Sequence, residues 1–374
     1  MNAAPIIIRE PAMDVGEKAE ELRQRFAQAR ARGLRAREAA DAIGLSEGAA
    51  VAAHVGAHSQ PLRAVPVQPR WLEILQALET CGPLMALTRN DSTVHEKTGV
   101  YRNLSSSGPV GLALGEDIDL RLFFNHWHAG FVVTEVQASG TEQASLQFFD
   151  AHGTAVHKVY PRAQTELSAW AQLHQRWADP LRAVAFRPGR APDPTSDAED
   201  DAAHCAADFA QAWAQMTDTH QFFGLLRRFG LERQQAFGLV EGRFTQRVDI
   251  GAVRQLLLAA SLDATPLMVF VGSPGCIQIH TGPVRRVEPM AVHGKTWLNV
   301  LDPGFNLHLR EDLIAGAWIV EKPGDCGTVT SLEVFDHEGG LMAMFFGARQ
   351  PGQPERENWR ALLEPLRHTG EVAA

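Results

Sequence analysis

The chain has 374 residues, 45% of them hydrophobic, and a formal net charge of −9 from 35 basic and 44 acidic side chains. It is long enough for two domains with real cores, and too acidic overall for unspecific nucleic-acid binding. No apolar run approaches the roughly 20 residues that cross a bilayer, so membrane insertion is not expected.

At the N-terminus, Pro5-Ile6-Ile7-Ile8 is a very short apolar stretch with no basic residue before it, unlike a signal peptide. Residues Glu17 to Arg32 are charged and alanine-rich, and Leu34 to Ile43 continues the pattern to a turn at Gly44; both read as helix. Trp71 to Leu78 is a further helix, with apolar residues near a 3.6-residue spacing. From Leu84 to Tyr160 the pattern becomes β-type, at Met85–Thr88, Val110–Leu114, Leu120–Phe124, Gly130–Val136, Ala144–Phe149 and Val156–Tyr160. Gly, Asn, Asp and Ser turns divide these segments, which predicts an antiparallel meander. Gln164 to Trp177 closes the unit as a helix. Residues 185–203 are proline-rich and acidic and read as a linker. Helices return from about Ala206 to Ala260, strands from Met268 to Phe346, and a last helix from Glu355 to Leu366. The cysteines Cys81, Cys205, Cys276 and Cys326 form no CxxC pair, which suits a reducing cytoplasm and argues against a cysteine zinc site.

The second half rewrites the first. Pro83-Leu84-Met85 recurs 183 residues later as Pro266-Leu267-Met268. Ser145-Leu146-Gln147-Phe148-Phe149-Asp150 recurs 186 residues later as Ser331-Leu332-Glu333-Val334-Phe335-Asp336. Asp119-Leu120-Arg121-Leu122 faces Asn306-Leu307-His308-Leu309, and Trp170 faces Trp359. The expected fold class is α+β, a tandem structural repeat in which each copy is an antiparallel β-sheet with flanking helices. The first repeat is residues 1–184, the linker 185–203 and the second repeat 204–374.

One segment concentrates chemistry, Met216 to Gly230. Asp218 with Gln221 is a capping-box-like start, and Gly230 is a C′ stop. Phe222, Leu225, Leu226 and Phe229 make the core stripe. His220 then falls in the first turn, where the positive helix end disfavours protonation and keeps a lone pair for a metal. Gly224, one turn on, lets a flat ligand approach the backbone, at a helical cost of about 1 kcal/mol. Matching Gly33-Leu34 to Gly230-Leu231 sets Arg23 opposite His220, so the imidazole belongs to the second copy alone. By itself, one histidine here is most simply a capping or core residue. Other signals are weaker. Gly294-Lys295-Thr296 resembles the end of a phosphate loop, but Pro289 occupies the required glycine position. His126 and His128 have no third ligand at metal-site spacing, and Arg227-Arg228 fits the outer face of a helix.

Longer motifs carry more. Thr88-Arg89-Asn90 with Val94-His95-Glu96, Asp119 to Phe123, Thr217 to Phe223, and Gly347-Ala348-Arg349 leading to Gly352-Gln353-Pro354-Glu355 occur in one order along the chain. In them the sequence resembles the cytoplasmic hemin-utilisation family of HemS-like proteins, over nearly its whole length. The resemblance implies paired repeats with heme in a cleft near the second. It implies His220 as axial iron ligand, and Arg121 on the distal side, with a catalytic part if the protein is an enzyme. Lys322 and Arg349 would meet the heme propionates, and Phe123 and Phe270 the macrocycle. Phe346 stands where the family pattern has a tyrosine that helps hold a propionate. Ferric heme needs an imidazole, cations for two carboxylates and an apolar slot, and these residues supply each.

Two functions follow from the resemblance: a carrier that receives imported heme and hands it on, and an enzyme that opens the porphyrin with O₂ and an external reductant. Expected partners are heme and, beyond it, a heme importer or a downstream heme oxygenase. No flavin, nicotinamide or second redox motif is recognisable, so an enzyme would draw its electrons from outside. A third reading, from another class, is a cofactor-free tandem protein-interaction module, which a Soret band on hemin addition would exclude.

Overall fold

The alternation of helical and β periodicity builds the same succession twice. The computed structural model describes residues 15–137, 139–189, 202–292, 294–349 and 352–368. The first succession is α1 (Val15–Ala31), α2 (Ala36–Ala42), α3 (Glu47–Ala53), β1 (Leu62–Pro66), α4 (Trp71–Ala77), β2 (Leu84–Arg89), β3 (Thr93–Gly99), β4 (Leu104–Ser107), β5 (Val110–Leu114), β6 (Asp119–Phe123), β7 (Ala129–Val136), β8 (Glu142–Phe149), β9 (Ala155–Pro161) and α5 (Leu167–Trp177). The second is α6 (Ala202–Ala214), α7 (Gln221–Phe229), α8 (Arg233–Leu239), β10 (Thr245–Val248), α9 (Ala252–Asp263), β11 (Pro266–Ser273), β12 (Cys276–Pro283), β13 (Val287–Val292), β14 (Lys295–Asp302), β15 (Phe305–Arg310), β16 (Ile314–Lys322), β17 (Val329–Asp336), β18 (Leu341–Gly347) and α10 (Glu357–His368).

The strands form two antiparallel sheets of nine, but not one meander per repeat. One sheet runs β1-β7-β8-β9-β2-β3-β15-β14-β13 and the other β10-β16-β17-β18-β11-β12-β6-β5-β4. Each repeat therefore lends a three-stranded arm to its neighbour's sheet. The seams are β15 on β3 (Leu307 opposite His95) and β6 on β12 (Arg121 opposite Ile277). Alternation along a strand fixes which side chains share a face, not which strand lies alongside, so the meander expectation could not foresee the exchange.

β1, β3, β4 and β10 were not anticipated either. β3 is instructive: it buries Thr93, His95 and Lys97 between the sheets, so its inward side reads as polar. The linker expected at 185–203 falls largely outside the described residues. Its start is docked, with Phe186 against Phe149 (ring centroids 6.2 Å) and the Arg187 N–H donating to the Ala151 carbonyl at 2.8 Å.

The expected match of Gly33 to Gly230 is also corrected. Gly33 ends α1, whereas the element equivalent to α7 is α2, which is followed by Gly44-Leu45. Gly44 and Gly230 both adopt positive φ, +77° and +63°, where a side chain would be strained. Two Gly-Leu pairs end successive helices of the first half, and only the later aligns. His220 then faces Leu34, not Arg23, and the imidazole remains exclusive to the second copy.

Helices coat the second sheet on both faces. On one, Phe222, Leu225, Leu226 and Phe237 of α7 and α8 pack on Trp318, Val320 and Phe335. On the other, α9 and α10 cover Leu267, Val269, Ile319, Leu332 and Phe345. Among the described residues no helix is long and apolar enough to cross a membrane.

Candidate functional site

Asp218 and Gln221 fold the segment before α7 by tying down its loose backbone donors. The His220 N–H donates to Asp218 Oδ1 at 2.8 Å, and the Thr217 N–H donates to Gln221 Oε1 at 2.9 Å. The capping-box-like start expected at Asp218 is thus replaced by bonds within the preceding turn: the N-cap is His220, two residues later, with no side-chain cap bond, so His220 stands just before the first helical residue, not inside the first turn. Its ring Nδ1 lies 2.6 Å from Asp218 Oδ1, and the side chain is 89% exposed. An imidazole that donates from Nδ1 to a carboxylate carries its lone pair on Nε2, here on the open side. Asp218, held below the usual carboxylate range chiefly by the His220 backbone N–H, therefore fixes the ring where the helix end was expected to act alone.

One turn on, nothing lies within 4 Å of the position a Cβ would take on Gly224. Phe223, 63% exposed, lies on the same helix with the Arg227 guanidinium 5.2 Å over its ring. The loop between β16 and β17 braces the segment, with the Asp325 N–H donating to the Thr217 carbonyl at 2.7 Å.

Beneath α7 and α8 the sheet offers a continuous floor. Paired residues of antiparallel strands project to one face. Trp318 pairs with Glu333, Glu333 with Met344, Met344 with Phe270, Phe270 with Ile279, and Ile279 with Asp119. Arg121 and Phe123 follow on the same face of β6, Phe346 on that face of β18, and Lys322 on that face of β16. From β16 to β6 the floor is five strand spacings, about 24 Å. Its middle carries half-buried Phe270 and Phe346, with ring centroids 5.0 Å apart.

The basic residues differ in state. Arg121 is paired with Asp119 two residues before it and keeps 31% of its side-chain exposure. Arg349 has no ion-pair partner within 4 Å among the described residues, and its charge reaches Asp218. Lys322 is not the loop lysine its Pro323 neighbour suggests. It is 3% exposed at the end of β16, and burial pulls its ammonium down to about 8. It donates to Glu333 at 2.7 Å, and Arg233 donates to the other oxygen of the same carboxylate at 2.6 Å.

The sequence reading missed Arg233 and Glu333. Their one visible signal was the Gln147-to-Glu333 difference inside an otherwise repeated motif. His126 and His128 are exposed, and Arg227 and Arg228 lie on the outer side of α7. Among the described residues no group of three or more His, Cys, Asp or Glu side chains could hold a bare metal ion. The donor set instead suits a metal that brings most of its own ligands: one imidazole, a flat apolar floor, an opening at Gly224 and several cations.

Known proteins resemble this chain in sequence and in fold. The family model described as haemin-degrading HemS.ChuX domain matches residues 44–177 and 230–366. The hemin transport protein HmuS of Yersinia pestis is 40% identical over 349 residues, covering 92% of this chain and 97% of that one. The hemin transport protein HemS of Yersinia enterocolitica is 41% identical over 303 residues, covering 80% and 85%. Among solved structures, holo-PhuS, a heme-binding protein from Pseudomonas aeruginosa, superposes with a TM-score of 0.85 at 43% identity, covering 93% of this chain and 99% of that one. ChuS, an E. coli heme oxygenase, gives 0.81 at 36% identity, covering 92% and 99%.

Proposed function

The chain belongs to the haemin-degrading HemS.ChuX family, and from that premise we propose that it binds one heme in the cytoplasm and serves heme iron acquisition. The observation that carries the reading is the sharing of one sheet face by Lys322, Phe346, Phe270, Arg121 and Phe123, with α7 and its His220 seated on that face. His220 Nε2 supplies the iron ligand, oriented from behind by Asp218. Gly224 leaves room for the ring edge. Phe270 and Phe346 offer apolar surface to the macrocycle, and Phe123 extends it along β6. Lys322, Arg233 and Arg349 supply positive charge for the two carboxylates. Heme is the cargo or the substrate, and the chain's own task is to orient it and exclude water from one face.

The carrier reading accounts for the exposure of His220, because a ligand on an open edge can be taken and given up without unfolding the site. A ring-opening activity is the second reading, favoured by the similarity to ChuS and by a polar Arg121 at the border of an otherwise apolar floor. Partners in the carrier reading are a heme importer upstream and a heme oxygenase downstream. The test is a titration of the apo-protein with hemin. A Soret band that saturates at one equivalent supports the reading, and no band leaves a cofactor-free interaction module. Loss of that band on adding ascorbate in air then separates enzyme from carrier.

A further inference from the structure

Glu333 is fully buried on β17, between Arg233 of α8 and Lys322 of β16. Arg233 donates to it from Nε, Lys322 from Nζ, and the Ser331 hydroxyl donates to the same Oε1 as Lys322, at 2.9 Å. This leaves N–H groups of both cations without a hydrogen bond among the described residues; Arg233 keeps 24% side-chain exposure and lies over the Phe222 and Phe237 rings at 5.1 and 5.8 Å, and Lys322 keeps 4%. Arg233 Nη1 has no hydrogen-bond partner among the described residues, and its Nη2 meets only the Met344 sulfur at 3.2 Å. Lys322 spends one of three N–H bonds on Glu333 and lies 4.7 Å over the Phe222 ring.

The first repeat supplies an internal control. Gln147 pairs with Phe131 as Glu333 pairs with Trp318, so the two are equivalent strand positions. Four residues beyond Phe131 is Glu135, and four beyond Trp318 is Lys322. Glu47 opens α3 as Arg233 opens α8. The three positions thus read Arg, Lys, Glu in one repeat and Glu, Glu, Gln in the other. A carboxylate stands on the strand in the copy whose flanking positions are cationic, and a neutral amide stands there in the other. Its presence therefore goes with the cations, not with the sheet.

We infer that Glu333 is a positioning residue, which fixes Arg233 by Nε and Lys322 by one N–H so that their remaining N–H groups point at ligand carboxylates. It thereby sets the preference of the site for a porphyrin diacid. This rests on the heme reading above. The charged groups facing Lys322 are Glu333 from β17 and Arg233 from α8, with the Phe222 ring of α7 against it. Burial pulls the Lys322 ammonium down to about 8, against the attraction of Glu333, itself held at about 2 by Arg233 and Lys322. Without that carboxylate a buried lysine gives up its proton more readily.

The test compares hemin with hemin dimethyl ester on the full-length protein. Wild type should prefer hemin, and the preference should fall as pH rises through about 8. In Glu333→Gln the preference should drop at least about tenfold and its pH step should move lower, with the Soret position kept. A variant that keeps both the preference and the pH step overturns the role of Glu333 alone. A wild type that takes up neither porphyrin overturns the heme reading itself. Should Glu333→Gln not fold, Lys322→Met with and without Glu333→Gln removes the stranded charge. In that background the second substitution should still lower the preference at least about threefold through Arg233, and an unchanged value makes Glu333 a bystander.

Discussion

Lys97 and His280 are one position written twice, and they touch: Lys97 Nζ lies 3.2 Å from His280 Nδ1 across 183 residues of sequence. His95 and Gln278 repeat the relation at the same separation, 2.9 Å apart. Contacts between equivalent residues arise where a two-fold axis passes, so the pseudo-dyad runs through this buried polar row between the sheets. His280 is stacked on Phe305 at 3.7 Å, and burial pushes its imidazole down to about 3. It lies inside the molecule, away from the open floor.

That placement sharpens the expectation for His220→Ala. His280 is walled off and no other imidazole stands in the segment from Thr217 to Phe223, so hemin affinity should fall at least about tenfold, with a shifted Soret band. Optical titration of variant and wild type checks this, and an unchanged band would remove His220 from the site. The Soret position of Asp218→Asn should stay closer to wild type, because the ring remains.

Stoichiometry should be one. Leu34 stands opposite His220, and Glu47 and Glu135 stand opposite Arg233 and Lys322. The first repeat thus has no imidazole at the ligand position, and the cations it holds there, Arg89 and Lys158, are both paired with Glu47. A titration that breaks at two equivalents, both histidine-ligated, would show the repeats to be functionally equal.

The isolated second repeat, about residues 204–374, should run as a dimer. Its β13–β15 arm loses β3 and its β12 edge loses β6, but a second copy can supply both. His308 would then occupy the position of Arg121, so the half-protein should hold hemin with an altered spectrum. Arg121→Ala in the full chain should keep the His220-dependent band and slow any loss of colour under ascorbate. Sedimentation gives the oligomeric state, and a monodisperse monomer would mean that the arm folds back on its own sheet.

Phe346→Tyr should tighten hemin binding by about 1 kcal/mol, roughly fivefold. The equivalent position in the first repeat is already Tyr160, so the strand accepts the hydroxyl. Equal affinity for both proteins would show that this position does not reach a propionate.

Acid should unfold the protein through two buried carboxylates. Glu47, bound by Arg89 and Lys158, and Glu333, bound by Arg233 and Lys322, are each lowered from 4.5 to about 2. A carboxyl depressed on folding contributes stability that is complete above its unfolded value and lost as pH falls through its folded one. Stability should thus decline from about pH 4.5 toward 2. Glu333→Gln should be less stable at pH 7 and show a shallower acid slope, measurable by urea unfolding at each pH.

Much of this molecule could be read from its residues, because duplication, helix caps and the β-type segments leave local marks. The stop at Gly230 and the exposure of the Arg227-Arg228 face follow from spacing alone. What escaped was whatever depends on a partner far along the chain. β3 looked like a turn because its inward residues are polar and meet equally polar ones across the dyad. Lys322 beside Pro323 gave no local sign of its burial, because Glu333, which neutralises it, is on the next strand. The exchange of arms left no local mark, since β6 presents the same alternation to any neighbour.

The exchange also sets a timetable. Leu122 of β6 finds Cys276 of β12 only after some 150 further residues have been made, roughly 10–30 s at ordinary synthesis rates. Through that interval the nascent chain carries an open strand edge. Its five residues include Asp119 and Arg121, and charge on a short edge discourages pairing with a neighbouring chain. The arginine proposed to border the heme floor would thus already be useful on the ribosome, before there is any pocket for it to face.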